Sequence, residues 1–150
     1  MHRTCRIAAL LGTIGLTSSP VIASDCPYPE GYICHDNLVF RGNKMGPWHA
    51  FDKGDGRAPY DYAAKACANG NFEGKPGWRL PTENELLAFV KSSVRPSVES
   101  SHWRVNGGST WTSTPGEKGY FRYVSLRLDM VDAGQFPGFE PRNVSCVREK

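Results

Sequence analysis

Apolar residues recur at helical spacing in two stretches of the chain. Tyr60, Ala63, Ala64, Cys67 and Ala68 share one face, with Pro59 at the first turn and Gly70 just past the end, which predicts a first helix with a small, mostly alanine contact surface. Leu86, Leu87, Phe89 and Val90 predict a second helix from Glu83 to about Ser92. Its start is pinned by Gly77-Trp78-Arg79-Leu80-Pro81-Thr82-Glu83-Asn84-Glu85-Leu86. Thr82 and Glu85 have the spacing of a capping box, in which each residue's side chain bonds the other's backbone amide. Pro81 holds the approach extended and biases Leu80 away from helix.

Alternation with a period of two marks the strands. Leu38 and Phe40 share one face of a strand over Asp36–Lys44, ended by Gly42-Asn43. Thr110–Thr114 reads as a short β-branched and aromatic strand stopped by Pro115-Gly116. A longer one follows, with Tyr120, Val124, Leu126, Leu128 and Met130 facing one way and Tyr123, Ser125, Arg127 and Asp129 the other. The last strand, Asn143–Arg148, sets Val147 opposite Val144 and Cys146, which predicts a strand covered on both faces and central rather than at an edge. Gly46–Arg57, Asn69–Gly77, Ser92–Gly108 and Asp132–Arg142 read as loops. Two early helices followed by short, mainly antiparallel strands make an α+β pattern.

The first residues follow a different logic. Arg3 and Arg6 precede an apolar run from Ile7 to Leu16, and small residues with Val21 and Ala23 at cleavage-type spacing come next. Residues 1–23 are expected to be a signal peptide, and 24–150 one mature domain that is not inserted in a membrane. The net charge of +3 comes from 18 basic and 15 acidic residues. Arg3 and Arg6 leave with the signal, so 16 basic face 15 acidic residues and the mature domain carries +1. Interspersed charges that close to neutrality give no reason to expect nucleic acid as a partner.

Cys5 also leaves, so the five cysteines become four: Cys26, Cys34, Cys67 and Cys146. In an exported chain these read as two disulfides with three possible pairings. We favour Cys26 with Cys34 as a local clip and Cys67 with Cys146 as a staple from the first helix to the last strand. A zinc site would call for close two-residue cysteine spacing, which no pair has.

In order along the chain, Tyr62-Ala63-Ala64-Lys65-Ala66-Cys67, the segment from Gly77 to Leu86, Trp111-Thr112-Ser113-Thr114 and Val144-Ser145-Cys146-Val147-Arg148 resemble the C-terminal domain of bacterial collagen-like adhesins, the Lcl C-terminal-like family. The resemblance covers Asp36 to Arg148, and Trp78, Arg79, Leu80, Pro81, Thr82, Glu85 and Trp111 carry its fold motif. It implies a compact fold similar to C-type lectin-like and formylglycine-generating-enzyme-like domains. It also implies an exported protein, whether periplasmic, on the cell surface or secreted, that serves adhesion by binding polysaccharides or proteins. The chain carries no collagen-like Gly-X-Y repeat.

Candidate chemistry is sparse. Oxidation of the formylglycine-generating kind requires free cysteines near each other, and bridged cysteines supply none, so no catalytic residue is expected. Asp52-Lys53-Gly54-Asp55-Gly56 lacks the regular oxygen ligands and closing glutamate of a calcium loop, and Glu140-Pro141-Arg142-Asn143 has a cation in its middle. Neither supports a metal, and no cofactor is expected. His35, His49 and His102 fall in separate loops without a nucleophile beside them. Trp78 and Trp111 belong to the core, while Arg79 is placed for a salt bridge to Glu85. Trp48 and Trp103, in loops, with His102 and Tyr120, are the candidate contact residues for a glycan or surface protein. The competing expectation is a structural or accessory subunit of a periplasmic or surface fibre or secretion assembly, docking through its strand edges and the Cys26–Cys34 clip.

Overall fold

The computed structural model describes residues 26–46, 56–96, 99–105, 108–127 and 132–150. The expected signal segment, the loop interior with Trp48, His49 and Asp52, and the strand positions Leu128 and Met130 lie outside the described residues.

Thr82 (φ −68, ψ 161) is still extended and caps α2, Glu83–Lys91. Its Oγ1 accepts from the Glu85 amide at 3.2 Å, and the Glu85 carboxylate accepts from the Thr82 amide at 2.8 Å, so the expected capping box is formed. Arg79 donates to both oxygens of that carboxylate at 2.8 and 2.7 Å, the planar fork-to-fork geometry of a strong pair. Three strands precede the two helices. β1 (Tyr32–His35), β2 (Leu38–Arg41) and β3 (Arg57–Ala58) precede α1 (Tyr60–Ala68) and a 3-10 turn (Phe72–Gly74). After α2 come β4 (Ser109–Pro115), β5 (Tyr120–Ser125), β6 (Ala133–Pro137), β7 (Arg142–Asn143) and β8 (Val147–Glu149).

The strands form two sheets, β1-β2-β8 and β3-β7-β4-β5-β6. All pairs are antiparallel except β4 with β7, which meet at Thr110 and Asn143. Arg79 bridges to Val147 of β8, and the Ser113 amide of β4 donates to the Pro81 carbonyl at 2.7 Å. The Glu83 amide donates to Thr114 Oγ1, and its carboxylate receives both Arg122 donors from β5 at 2.6 and 2.7 Å. The residues that start α2 thus touch both sheets.

The core has two parts. Val39, Ala63, Cys67, Trp78, Leu80, Trp111, Val144 and Cys146 are buried in one; Phe40, Leu86, Phe89, Val90, Trp103, Val124 and Val147 are buried in the other. The neighbours Val39 and Phe40 point to opposite parts, as strand alternation requires. Phe40 and Phe89 stack with centroids 4.3 Å apart. Disulfides join Cys26 to Cys34 and Cys67 to Cys146, and the second ties α1 to the chain just before β8. Such bridges persist in an oxidising compartment, so this is a domain of the exported or extracellular kind. No helix among the described residues is long and apolar enough to cross a membrane.

Three sequence expectations change. The single strand over Asp36–Lys44 is a hairpin, β1 and β2, turning through Asp36-Asn37 with Asp36 at φ 51, a region aspartate tolerates; Leu38 and Phe40 do face the same part of the core. The loop expected over Asp132–Arg142 contains β6, hidden by its glycine and proline; Gly134 lies under the Tyr123 ring, where a Cβ would come within 2.8 Å. Asn143–Arg148 is not one strand. β7 and β8 lie in different sheets, with Val144 and Cys146 in one part of the core and Val147 in the other, so coverage on both sides holds, while the expected central place holds for β7 and not for β8, which ends its sheet. Tyr120, an expected contact residue, is 44% exposed, while Val124 and Leu126 further along its stretch are buried.

Trp103, expected at the surface, is 4% exposed and packs on Phe89 with ring centroids 5.7 Å apart. Its loop is laid over α2 rather than away from it, because the Ser100 hydroxyl accepts from the Trp103 amide and Asn43 brackets Arg104 through both its side-chain atoms. Trp103→Ala is expected to lose about 3 to 5 kcal/mol in urea unfolding followed by circular dichroism. An unchanged midpoint would place the ring outside the core.

The 79-residue separation of Cys67 and Cys146 against 8 for Cys26 and Cys34 ranks the two bridges. Replacing the long pair by serine should cost ~4.5 kcal/mol and the short pair ~2.5 kcal/mol by loop entropy, read as the order of their unfolding midpoints. Glu85 supplies a pH test. Arg79, then the Thr82 amide, holds its carboxyl down from 4.5 to about 2 against the opposing effect of burial. A depressed folded-state value means the stabilisation is complete above pH 4.5 and drains away as pH falls toward 2. Glu85→Gln should lower Tm at pH 7 by about 4 °C and flatten the acid limb of a Tm-against-pH series; an equally steep limb in the variant would assign acid lability to other groups.

Candidate functional site

Of the expected contact residues, Trp103 is in the core and Trp48 lies outside the described residues. His102 is partly covered. Its ring rests against Gly31, where a Cβ would meet it at 2.9 Å, and Nδ1 lies 3.1 Å from Ser101 Oγ and 3.7 Å from the Glu30 carboxylate. Of the three that are described, Tyr120 alone presents a large open face.

A second one stands beside it that sequence reading missed. Phe139 is 78% exposed and, with Tyr120, makes up the exposed large hydrophobic residues of the described chain. Tyr120 begins β5 and pairs with Pro137 at the end of β6; Phe139 follows in the Pro137–Glu140 turn, so both occupy one end of the larger sheet. The turn is clamped. The Tyr60 amide donates to the Gly138 carbonyl at 2.8 Å, and Gly138 lies so close to the Phe121 ring that a Cβ would come within 2.5 Å. With Gly138 pressed down on the sheet, Phe139 is left facing solvent. The signal available in the sequence was a lone aromatic between glycine and Glu140-Pro141, a place where no core face can form.

Behind these two residues the sheet face is a row of aromatic rings. Tyr60 stacks on Phe121 at 3.6 Å and meets Trp111 edge-on at 5.7 Å, while Tyr123 stacks on Phe136 at 4.8 Å. The Arg142 guanidinium lies 3.7 Å over the Phe136 ring and pairs with Glu140. That pairing gives the Glu140–Asn143 segment its role, since the carboxylate is engaged by Arg142 and Asn143 is buried at 1% exposure. Trp111 Nε1 donates to the Ala58 carbonyl at 2.8 Å and Trp78 Nε1 to the Lys75 carbonyl at 2.7 Å, so both expected core tryptophans are buried with their donors satisfied.

The electrostatics of this face brace it. Burial raises the Tyr60 and Tyr123 hydroxyls above their ordinary values, with Asp61 and Asp132 respectively adding to the shift. Arg122 holds the Glu83 carboxyl below its usual range. Each of these shifts moves the pKa of its group further from pH 7, which keeps the Glu83–Arg122 pair charged and the two hydroxyls protonated there.

No family model matches the chain. No curated protein matches it either. Among solved structures, it is similar to the crystal structure of EMS16, an antagonist of the collagen receptor integrin α2β1 (GPIa/IIa), with a TM-score of 0.51 over 82% of this chain and 100% of that one. At 13% identity the likeness is one of fold. Two helices, mixed but mainly antiparallel sheets and two disulfides, with that likeness, make this a compact α+β domain of C-type lectin-like fold.

Proposed function

We propose that the chain is an exported, non-catalytic binding module of the Lcl C-terminal-like kind, with residues 1–23 removed as a signal and residues 24–150 forming the domain. Its partner is a glycan or a surface protein, met at the Tyr120–Phe139 end. The observation that carries this reading is the exposure of those two rings, 44% and 78%, at one end of the larger sheet, Tyr120 opposite Pro137 and Phe139 on the clamped turn that follows it. Burying an aromatic side chain on association contributes about 1.5 to 3 kcal/mol, and a rigid platform loses little of that to ordering. EMS16, of similar fold, antagonises a collagen receptor, which fits a fold used for recognition.

A second reading, a subunit of a surface assembly, draws on the outer edge of β6, the last strand of its sheet. Among the described residues no strand pairs with that edge, which suits the addition of one. The Cys26–Cys34 clip is closed within the chain and offers no link to another.

The test is retention on an array of defined polysaccharides and purified matrix proteins, comparing the wild type with Tyr120→Ala/Phe139→Ser. Since neither ring supports the core, the double variant should keep its Tm while its retention falls at least about tenfold, one 1.4 kcal/mol step. Undiminished retention would move the site elsewhere. Retention on nothing, with higher-order species by light scattering, would favour the assembly reading.

A further inference from the structure

The buried polar side chains Asn43, Thr112 and Ser145 all have partners. Asn43 brackets Arg104, the Thr112 hydroxyl donates to the Arg122 carbonyl at 3.1 Å, and the Ser145 hydroxyl donates to the Arg41 carbonyl at 2.6 Å. Thr110 and Asn143 differ. They are 0% and 1% exposed, and Thr110 Oγ1, Asn143 Nδ2 and Asn143 Oδ1 are all buried with no hydrogen-bond partner among the described residues. Elsewhere such atoms lie singly, on Arg41, Trp103, Arg142 and Arg148.

The fold brings these atoms to one junction. Thr110 and Asn143 are Cα partners where β4 and β7 run parallel, and that pairing consists of this one bridge. Val144 belongs to the first part of the core, so alternation turns Asn143 to the opposite face. Thr110 shares that face with its other Cα partner, Val124, which is buried in the second part. Gly108 passes so close that a Cβ would come within 2.0 Å of Asn143 Nδ2. Glycine at that position leaves the amide its place, and a larger residue would displace it.

Leaving these buried polar atoms unbonded would cost a large share of the stability of a domain of this size. We infer that the Thr110–Asn143 junction is a buried binding site for a single water molecule. A primary amide carries an N–H and its C=O on the same side. One water can therefore accept from Asn143 Nδ2 and donate to Oδ1, while its second hydrogen goes to Thr110 Oγ1. About three bonds is usual for an internal water. The junction offers two neutral side chains, which match a neutral ligand that both donates and accepts rather than a cation. The bound water gives β7, two residues long and bridged to β4 at one position, a further tie to its sheet. Because β7 follows the Phe139 turn, the same tie fastens the exit of that turn. The site stands whether or not the Tyr120–Phe139 end meets a partner.

Water-selective NOE spectra of the isotope-labelled wild-type protein supply the test. The expected result is a cross-peak between water and the Asn143 side-chain amide protons, with the sign of the protein's own NOEs, the mark of a water that tumbles with the molecule. Thr110→Val removes the exchanging hydroxyl and keeps the shape, so it should retain the cross-peak and lower Tm. A cross-peak of the opposite sign, as surface water gives, or none at all would overturn the site. So would a Thr110 hydroxyl proton seen directly against the amide without a water signal, which would mean that the two side chains bond each other. Loss of the cross-peak in Thr110→Val would overturn it as well, because the signal would then have been relayed through the hydroxyl. The wild-type spectrum stands as a test even if the variant fails to fold.

Discussion

The Glu85 carboxylate accepts from Arg79 through both guanidinium donors and from the Thr82 amide, and its own amide closes the ring onto Thr82 Oγ1. One side chain therefore satisfies a helix terminus, fixes the direction of α2 and anchors Arg79, whose backbone bridges to Val147. Two residues earlier, Glu83 ties the same turn to Arg122 on β5. Because these contacts reach β8, β4 and β5 from within seven residues, helix placement and sheet placement are one event. Exposed ion pairs contribute little alone, but here bidentate geometry and a helix cap share one carboxylate.

Around that anchor the two sheets are joined by strands that have no idle face. Val39 and Phe40 are both fully buried, and so are Cys146 at 1% and Val147 at 0%, each neighbour serving a different part of the core. The Cys67–Cys146 bridge fastens α1 to this same crossing point. The periphery carries the clamped turn that lifts Phe139, and the far end of α1. Both are places where a glycine lets backbone approach an aromatic ring closely, Gly138 against Phe121 and Gly70 against Phe72.

The capping box, both helices, the Arg79–Glu85 pair and the buried tryptophans Trp78 and Trp111 were legible in the chain because each depends on residues close in sequence or on a periodic face. Other features were not. β6 has poor strand formers, Gly134 and Pro137, and exists because β5 offers it a complete ladder. Trp103 left its expected place at the surface, while Tyr120, an expected contact residue, is exposed on a strand whose later members are buried. A loop tryptophan is buried once Phe89 and the bracketing Asn43 bond bring its loop onto α2, and a residue on a core-facing strand pattern is exposed when it begins its strand at the sheet's end.

By itself, then, the sequence determined the α+β class, the start of α2 and the even set of cysteines expected of an exported domain, all set by local hydrogen bonds, turn chemistry and periodicity. Only the tertiary structure decided which cysteines meet, which strands share a sheet, and which aromatic rings remain in water. Those outcomes depend on contacts between residues far apart in the chain, as with Cys67 and Cys146 at a separation of 79. Local pattern says that a ring is apolar, and packing says whether anything covers it.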